Sequence, residues 1–162
     1  MIDLDDLRRR VIVPTLDYLA TVDPGVNHSD AVTLLVRTAV VESVIGQTQY
    51  LAQRGGGPAL GIYQMEPETY DDIWRTWLAY RPELARVTRE LAGRVAGSPP
   101  AAKHVCGNWY LATAMTRWRY RRAPGAIPPA SDIDAQGSYW LRHYNAGGAG
   151  TAAKWRAAVA RT

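Results

Sequence analysis

The chain has 162 residues, enough for one well-filled hydrophobic core and too few for two, so a single domain over 1–162 is expected. Its one cysteine, Cys106, excludes a fold held by intrachain disulfides. Its three histidines, His28, His104 and His143, lack metal-ligand spacing, so neither metal nor cofactor is expected. Nineteen Lys and Arg against fifteen Asp and Glu leave a formal charge of +4, a mild bias toward polyanionic partners.

Helical periodicity runs through the whole chain, with no sustained strand-type alternation, and the fold class is all-α. Leu4, Leu7, Val11 and Ile12 open an amphipathic stretch that Pro14 interrupts or restarts, continuing through Leu16 and Leu19 to a turn at Asp23-Pro24-Gly25. The first ten residues carry charges where an export signal has an apolar run, and no later segment reaches membrane-spanning length. The expectation is a protein with no membrane span and no export route of its own.

Ser29 is placed to cap a helix reaching about Ser43. Gln47 to Pro58, ending in Gly55-Gly56-Gly57 and Pro58, reads as a loop or short hairpin lining a cleft. It lacks the Lys and the strand-then-helix setting of a phosphate loop, which excludes nucleotide binding of that type. Pro67 starts a helix to about Tyr80, and Pro82 starts another through Val95. A long central helix is expected from about Ala101 to Tyr120. Ser131 or Asp132 caps one to His143, and a last helix runs from Ala152 to Ala160 after the Gly147-Gly148-Ala149-Gly150 stop.

Glu42 shares a helical stripe with Leu35, Thr38 and Ala39, residues expected to face the core. Desolvation there disfavours the carboxylate and raises its pKa, to roughly 6, as a general acid near neutrality requires. Ser43 follows it directly, Gly61-Ile62-Tyr63-Gln64 lies about twenty residues on, and Tyr144-Asn145-Ala146-Gly147 stands near the C-terminus. One carboxyl, one hydroxyl, one carboxamide and a Tyr-Asn pair suit protonation of a glycosidic oxygen and a grip on polar sugar substituents.

In order and spacing these segments, with Pro67, Thr69 and Asn108, resemble the catalytic domain of the soluble, goose-lysozyme-like lytic transglycosylases, over roughly Ser29 to Trp155. The resemblance implies a lysozyme-like helical domain that cuts peptidoglycan between N-acetylmuramic acid and N-acetylglucosamine. Glu42 would act as both acid and base. Ser43 would orient it or touch the glycan, Gln64 and Asn145 would bind sugar substituents, Tyr144 would hydrogen-bond near Glu42, and Tyr63 and Asn108 would line the cleft. The family usually carries Met where Tyr63 stands, and Gln47, Gln49 and the glycine triplet set the intervening loop apart.

An enzyme of this kind without an export signal points to a phage particle, in its tail or ejection machinery, with peptidoglycan strands and other virion proteins as partners. The rivals are a lysozyme-type hydrolase activating water through Asp71, Asp72 or Glu66, and a structural virion protein with little activity. Arg117, Arg119, Arg121 and Arg122 form the strongest basic cluster. It is read as a charged helix end and not as a nucleic-acid site, since no nucleic-acid module accompanies it.

Overall fold

The structure, a computed structural model, describes residues 3–44, 53, 55–94 and 96–162. The Asp3 carboxylate accepts the amides of Asp5 at 2.9 Å and Asp6 at 3.1 Å, opening α1 (Leu4–Asp6). The rod continues as a π-helical stretch, Leu7–Ile12, into α2 (Val13–Ala20). Proline has no amide to return to the previous turn, and the wider winding just before Pro14 absorbs the break. The Val13 amide reaches back five residues to the Arg8 carbonyl, so Pro14 neither ends nor restarts the helix.

α3 (Ser29–Ala39) is capped one residue earlier than its sequence suggests. Nδ1 of His28 accepts the Ala31 amide at 3.3 Å, and Ser29 is already helical. The helix is buried on nearly every side and passes into a second π-helical turn, Val40–Val44, which carries Glu42. α4 (Pro67–Thr76) stops short of Tyr80, where a 3-10 turn, Leu78–Tyr80, takes over. α5 (Pro82–Leu91) ends before Gly93, whose φ of +71° is a left-handed helix exit; Val95, assigned to this helix from sequence, lies outside the described residues.

The expected long helix from Ala101 is broken. A 3-10 turn, Ala102–Cys106, precedes Gly107, and α6 (Trp109–Arg121) begins only after Asn108, whose Oδ1 caps it by accepting the Leu111 amide at 2.9 Å. α6 is the central helix nonetheless, packing against α2, α3, α4 and α5. Asp132, not Ser131, caps α7 (Ile133–His143), and Thr151 caps α8 (Ala152–Val159).

Among the described residues the fold is one all-α domain with no strand, and no helix is long and apolar enough to cross a membrane. The expected loop or hairpin, Gln47 to Pro58, lies largely outside the described residues, and just beyond it a single antiparallel bridge joins Leu60 to Met65.

Two indoles join α7 to α8. Trp140 stacks on Trp155 with ring centroids 5.5 Å apart, and Gly137 makes room, since a Cβ there would sit 2.6 Å from Trp155 Cδ1. Both rings are about 1% exposed, and truncating either to Ala would cost about 3–5 kcal/mol. α8 also rests on α3 and its π-turn, so the stack fixes the wall facing Glu42.

Candidate active site

The wider winding at Val40–Val44 re-aims side chains relative to a regular helix, a feature that often accompanies functional sites. It leaves Glu42 half-buried between two adjoining halves of one cleft, of about 310 and 320 Å³. Both halves are lined by Glu42, Gln64, Glu66, Asn145 and Gly148. The first adds Gln53, Trp140 and Lys154, and the second adds Thr69, Arg119 and Tyr144. Its stripe neighbours Leu35, Thr38 and Ala39 are fully buried.

Trp140 Nε1 donates to Glu42 Oε1 at 3.0 Å, and Asn145 Nδ2 donates to the same oxygen at 3.4 Å. Among the described residues no cation pairs with the carboxyl directly. Burial therefore dominates and pushes its pKa up to about 7, against the opposing pull of those two hydrogen bonds and of the charges on Arg119 and Lys154.

The expected bond from Tyr144 to Glu42 does not form. The Tyr144 hydroxyl donates instead to the Tyr63 carbonyl at 2.8 Å, tying the Tyr-Asn segment to the Gly61–Gln64 turn. Burial pushes its phenol well up.

That turn is tight. Leu60 and Met65 exchange two backbone bonds of 3.0 Å, and Gln64 takes a left-handed φ of +47°, strain of about 1–2 kcal/mol for a residue with a Cβ. Gly61 must be glycine: its φ is +72°, and a Cβ would meet the Val105 carbonyl oxygen at 2.6 Å. Gln64 Nε2 donates back to the Gly61 carbonyl at 2.9 Å, which fixes the carboxamide at the cleft. Oδ1 of Asn145, which also lines the cleft, accepts the Gly150 amide at 2.7 Å.

Glu42, Gln64, Tyr144 and Asn145 are thus brought together. Three other expected site residues are not. Tyr63 is 1% exposed, its hydroxyl 3.1 Å from Thr113 Oγ1, so its side chain offers the cleft nothing. Ser43 is also 1% exposed, and its hydroxyl donates to the Ala39 carbonyl at 2.9 Å within its own helix, leaving none of it for glycan contact. Asn108 spends both ends of its amide on the scaffold, capping α6 and donating to the Leu91 carbonyl at 2.8 Å.

The alternative carboxylates separate in the same way. Asp72 pairs with Arg122 at 2.7 Å, which holds its carboxyl below the ordinary range, and it does not line the cleft; Asp71 is exposed. Glu66 lines both halves. Of the expected loop wall, Gln53 reaches the cleft, as does Ala59 just beyond it, whereas Gln47 and Gln49 lie outside the described residues.

Each guanidinium of the basic cluster is engaged by the chain itself. Arg117 donates to the Val26 and Gly25 carbonyls, Arg121 pairs with Asp23, and Arg122 pairs with Asp72. Arg119 donates to the His143 and Tyr144 carbonyls and lies 4.4 Å over the Tyr144 ring. Among the described residues no cluster of His, Cys, Asp and Glu could hold a metal ion.

Comparison with protein-family models, with curated proteins and with solved structures finds no match. Sequence reasoning missed Trp140, Arg119 and Lys154 as cleft residues. Trp140 had one usable signal, standing one helical turn before Tyr144 and so on the face that leads into the Tyr-Asn segment.

Proposed function

We propose that this protein is a peptidoglycan lytic transglycosylase with a lysozyme-like catalytic domain, and that Glu42 is its only acid and base. The observation that carries the reading is a cleft-lining carboxyl held protonatable near neutrality, about 7, by burial and, among the described residues, without a paired cation.

Protonated Glu42 gives its proton to the oxygen bridging N-acetylmuramic acid and N-acetylglucosamine, and the bond from that oxygen to the muramoyl anomeric carbon breaks. The substrate's acetamido group supports the cationic centre. The muramoyl 6-hydroxyl oxygen then bonds to that carbon while its proton returns to the Glu42 carboxylate, leaving a 1,6-anhydro end and the acid restored. Gln64 and Asn145, each fixed by a hydrogen bond at the cleft, grip polar sugar substituents.

Digestion of purified peptidoglycan followed by mass spectrometry tests this. Anhydro products that disappear with Glu42→Gln support it, whereas undiminished clearing by that variant removes it.

A hydrolase is the second reading, favoured by Glu66, the one other carboxylate on both halves of the cleft among the described residues. It predicts reducing ends and strong loss on Glu66→Gln. The setting we propose is a phage tail or ejection apparatus acting on the host wall. Peptides of this chain in purified, protease-washed particles would bear that out, and their absence would remove it.

A further inference from the structure

Glu42 has two carboxyl oxygens, and the two side-chain donors that reach it among the described residues aim at the same one. Trp140 Nε1 lies 3.0 Å and Asn145 Nδ2 3.4 Å from Oε1. Indole and amide N–H groups only donate in these bonds, so a proton on Oε1 would stand against two N–H hydrogens. Neither donor is free to turn away. The Trp140 ring is stacked on Trp155, whose own Nε1 donates to the Ile133 carbonyl at 2.9 Å, and Asn145 Oδ1 is held by the Gly150 amide at 2.7 Å. Close backbone packs behind both, since a Cβ on Gly150 would lie 2.4 Å from Asn145 Oδ1 and 2.6 Å from Trp140 Cη2.

We propose that Trp140 is a positioning residue that, with Asn145, commits Oε1 of Glu42 to accepting, so that the transferable proton is carried on Oε2. The inference rests on the transglycosylase reading for its catalytic meaning, though the Trp140–Glu42 pairing can be tested without it. In a productive turnover Oε2 delivers the proton to the glycosidic oxygen, and Oε1, kept by its two donors, stabilises the carboxylate that remains. Among the described residues the other charged groups that act on Glu42 are Arg119 from α6 and Lys154 from α8, which favour its charged form. Tyr120 and Tyr144 stay neutral near pH 7 because burial raises both, and Glu66 shares the cleft.

Trp140→Phe keeps a ring on Trp155 and removes the N–H. The basic limb of its pH profile should move up by about one unit, because the charged form has lost a donor, and kcat should fall by about tenfold with KM little changed. Trp155→Phe, which spares the bond to Glu42, should lower Tm and leave the limb in place. A Trp140→Phe profile superimposed on wild type with unchanged kcat would overturn the inference.

NMR of the wild-type protein reads the pair without any variant and without activity. The Trp140 indole N–H resonance should shift with the same midpoint as the Glu42 carboxyl carbon, and an indole signal that stays flat through that titration would also overturn it. If wild type clears no peptidoglycan but the two signals titrate together, the proposed function falls while the pairing stands.

Discussion

Two helical carboxyl groups of this molecule stand close to arginines and end in opposite states. At the seam of α4 and α6, Asp72 is reached directly by Arg122 at 2.7 Å and flanked by Arg75 at 3.6 Å, and its pKa is lowered. At the corner of α3 and α7, the side-chain donors that reach Glu42 among the described residues are the neutral N–H groups of Trp140 and Asn145, while Arg119 spends itself on the His143 and Tyr144 carbonyls. Its pKa rises to about 7. The kind of partner and the degree of burial set the protonation state, more than the presence of a cation nearby. A solvated ion pair gives a permanent charge suited to holding helices together, and an enclosed carboxyl with neutral donors gives a proton that can be passed on.

The sharpest way to break the contrast is to remove each carboxyl in turn. Glu42→Gln should lower peptidoglycan cleavage by about a hundredfold or more, the scale of a lost general acid, whereas Asp72→Asn should leave the rate within about twofold. Equal losses in the two variants, measured as soluble glycan released, would erase the distinction.

Stability against pH sharpens it further. Because the folded pKa of Glu42 lies above its unfolded value of 4.5, the native state binds more protons than the unfolded chain between about pH 4.5 and 7. Glu42 therefore withdraws stability as pH rises through that window, by about 3 kcal/mol in all at 1.36 kcal/mol per unit. Denaturant melts of Glu42→Gln should lack this decline. Asp72 has the opposite sign: its stabilisation is present above its unfolded pKa and is lost as pH falls through the lowered folded value.

Crowding the wall behind Glu42 comes next in size. Gly150→Ala puts a Cβ into Asn145 and the Trp140 ring, and should cost about 1–3 kcal/mol by thermal melt together with most of the activity. The smallest effect belongs to Tyr144→Phe. It removes a hydrogen bond to the Tyr63 carbonyl and should cost about 1 kcal/mol without moving the basic limb of the pH profile, because that hydroxyl does not touch Glu42.

Part of this corner was legible in the sequence because it is written in local periodicity and motif order. Glu42 on the stripe of Leu35, Thr38 and Ala39 implied burial, and the motif segments placed Gln64 and Asn145 at the cleft, though not the tight turn that fixes the carboxamide. What could not be read depends on contacts between segments far apart in the chain. Trp140 donates across 98 positions to Glu42, and an indole in an amphipathic helix looks like ordinary core until its partner is known. Asn108 and Tyr63 failed for the converse reason. Motif order placed them at the cleft, but the break at Gly107 needed a cap, and the turn drove the ring of Tyr63 inward against Thr113.

The central claim is that an enclosed, protonated Glu42 is the acid that cuts the glycan, and the pH dependence of peptidoglycan cleavage from about pH 5 to about pH 9 tests it most directly. The expected wild-type rate holds on the acid side, breaks near 7 and falls about tenfold per unit beyond it, with Glu42→Gln inert throughout. A rate that stays flat across that range, or a Glu42→Gln variant that follows the wild-type curve, would contradict the assignment of Glu42 as the acid.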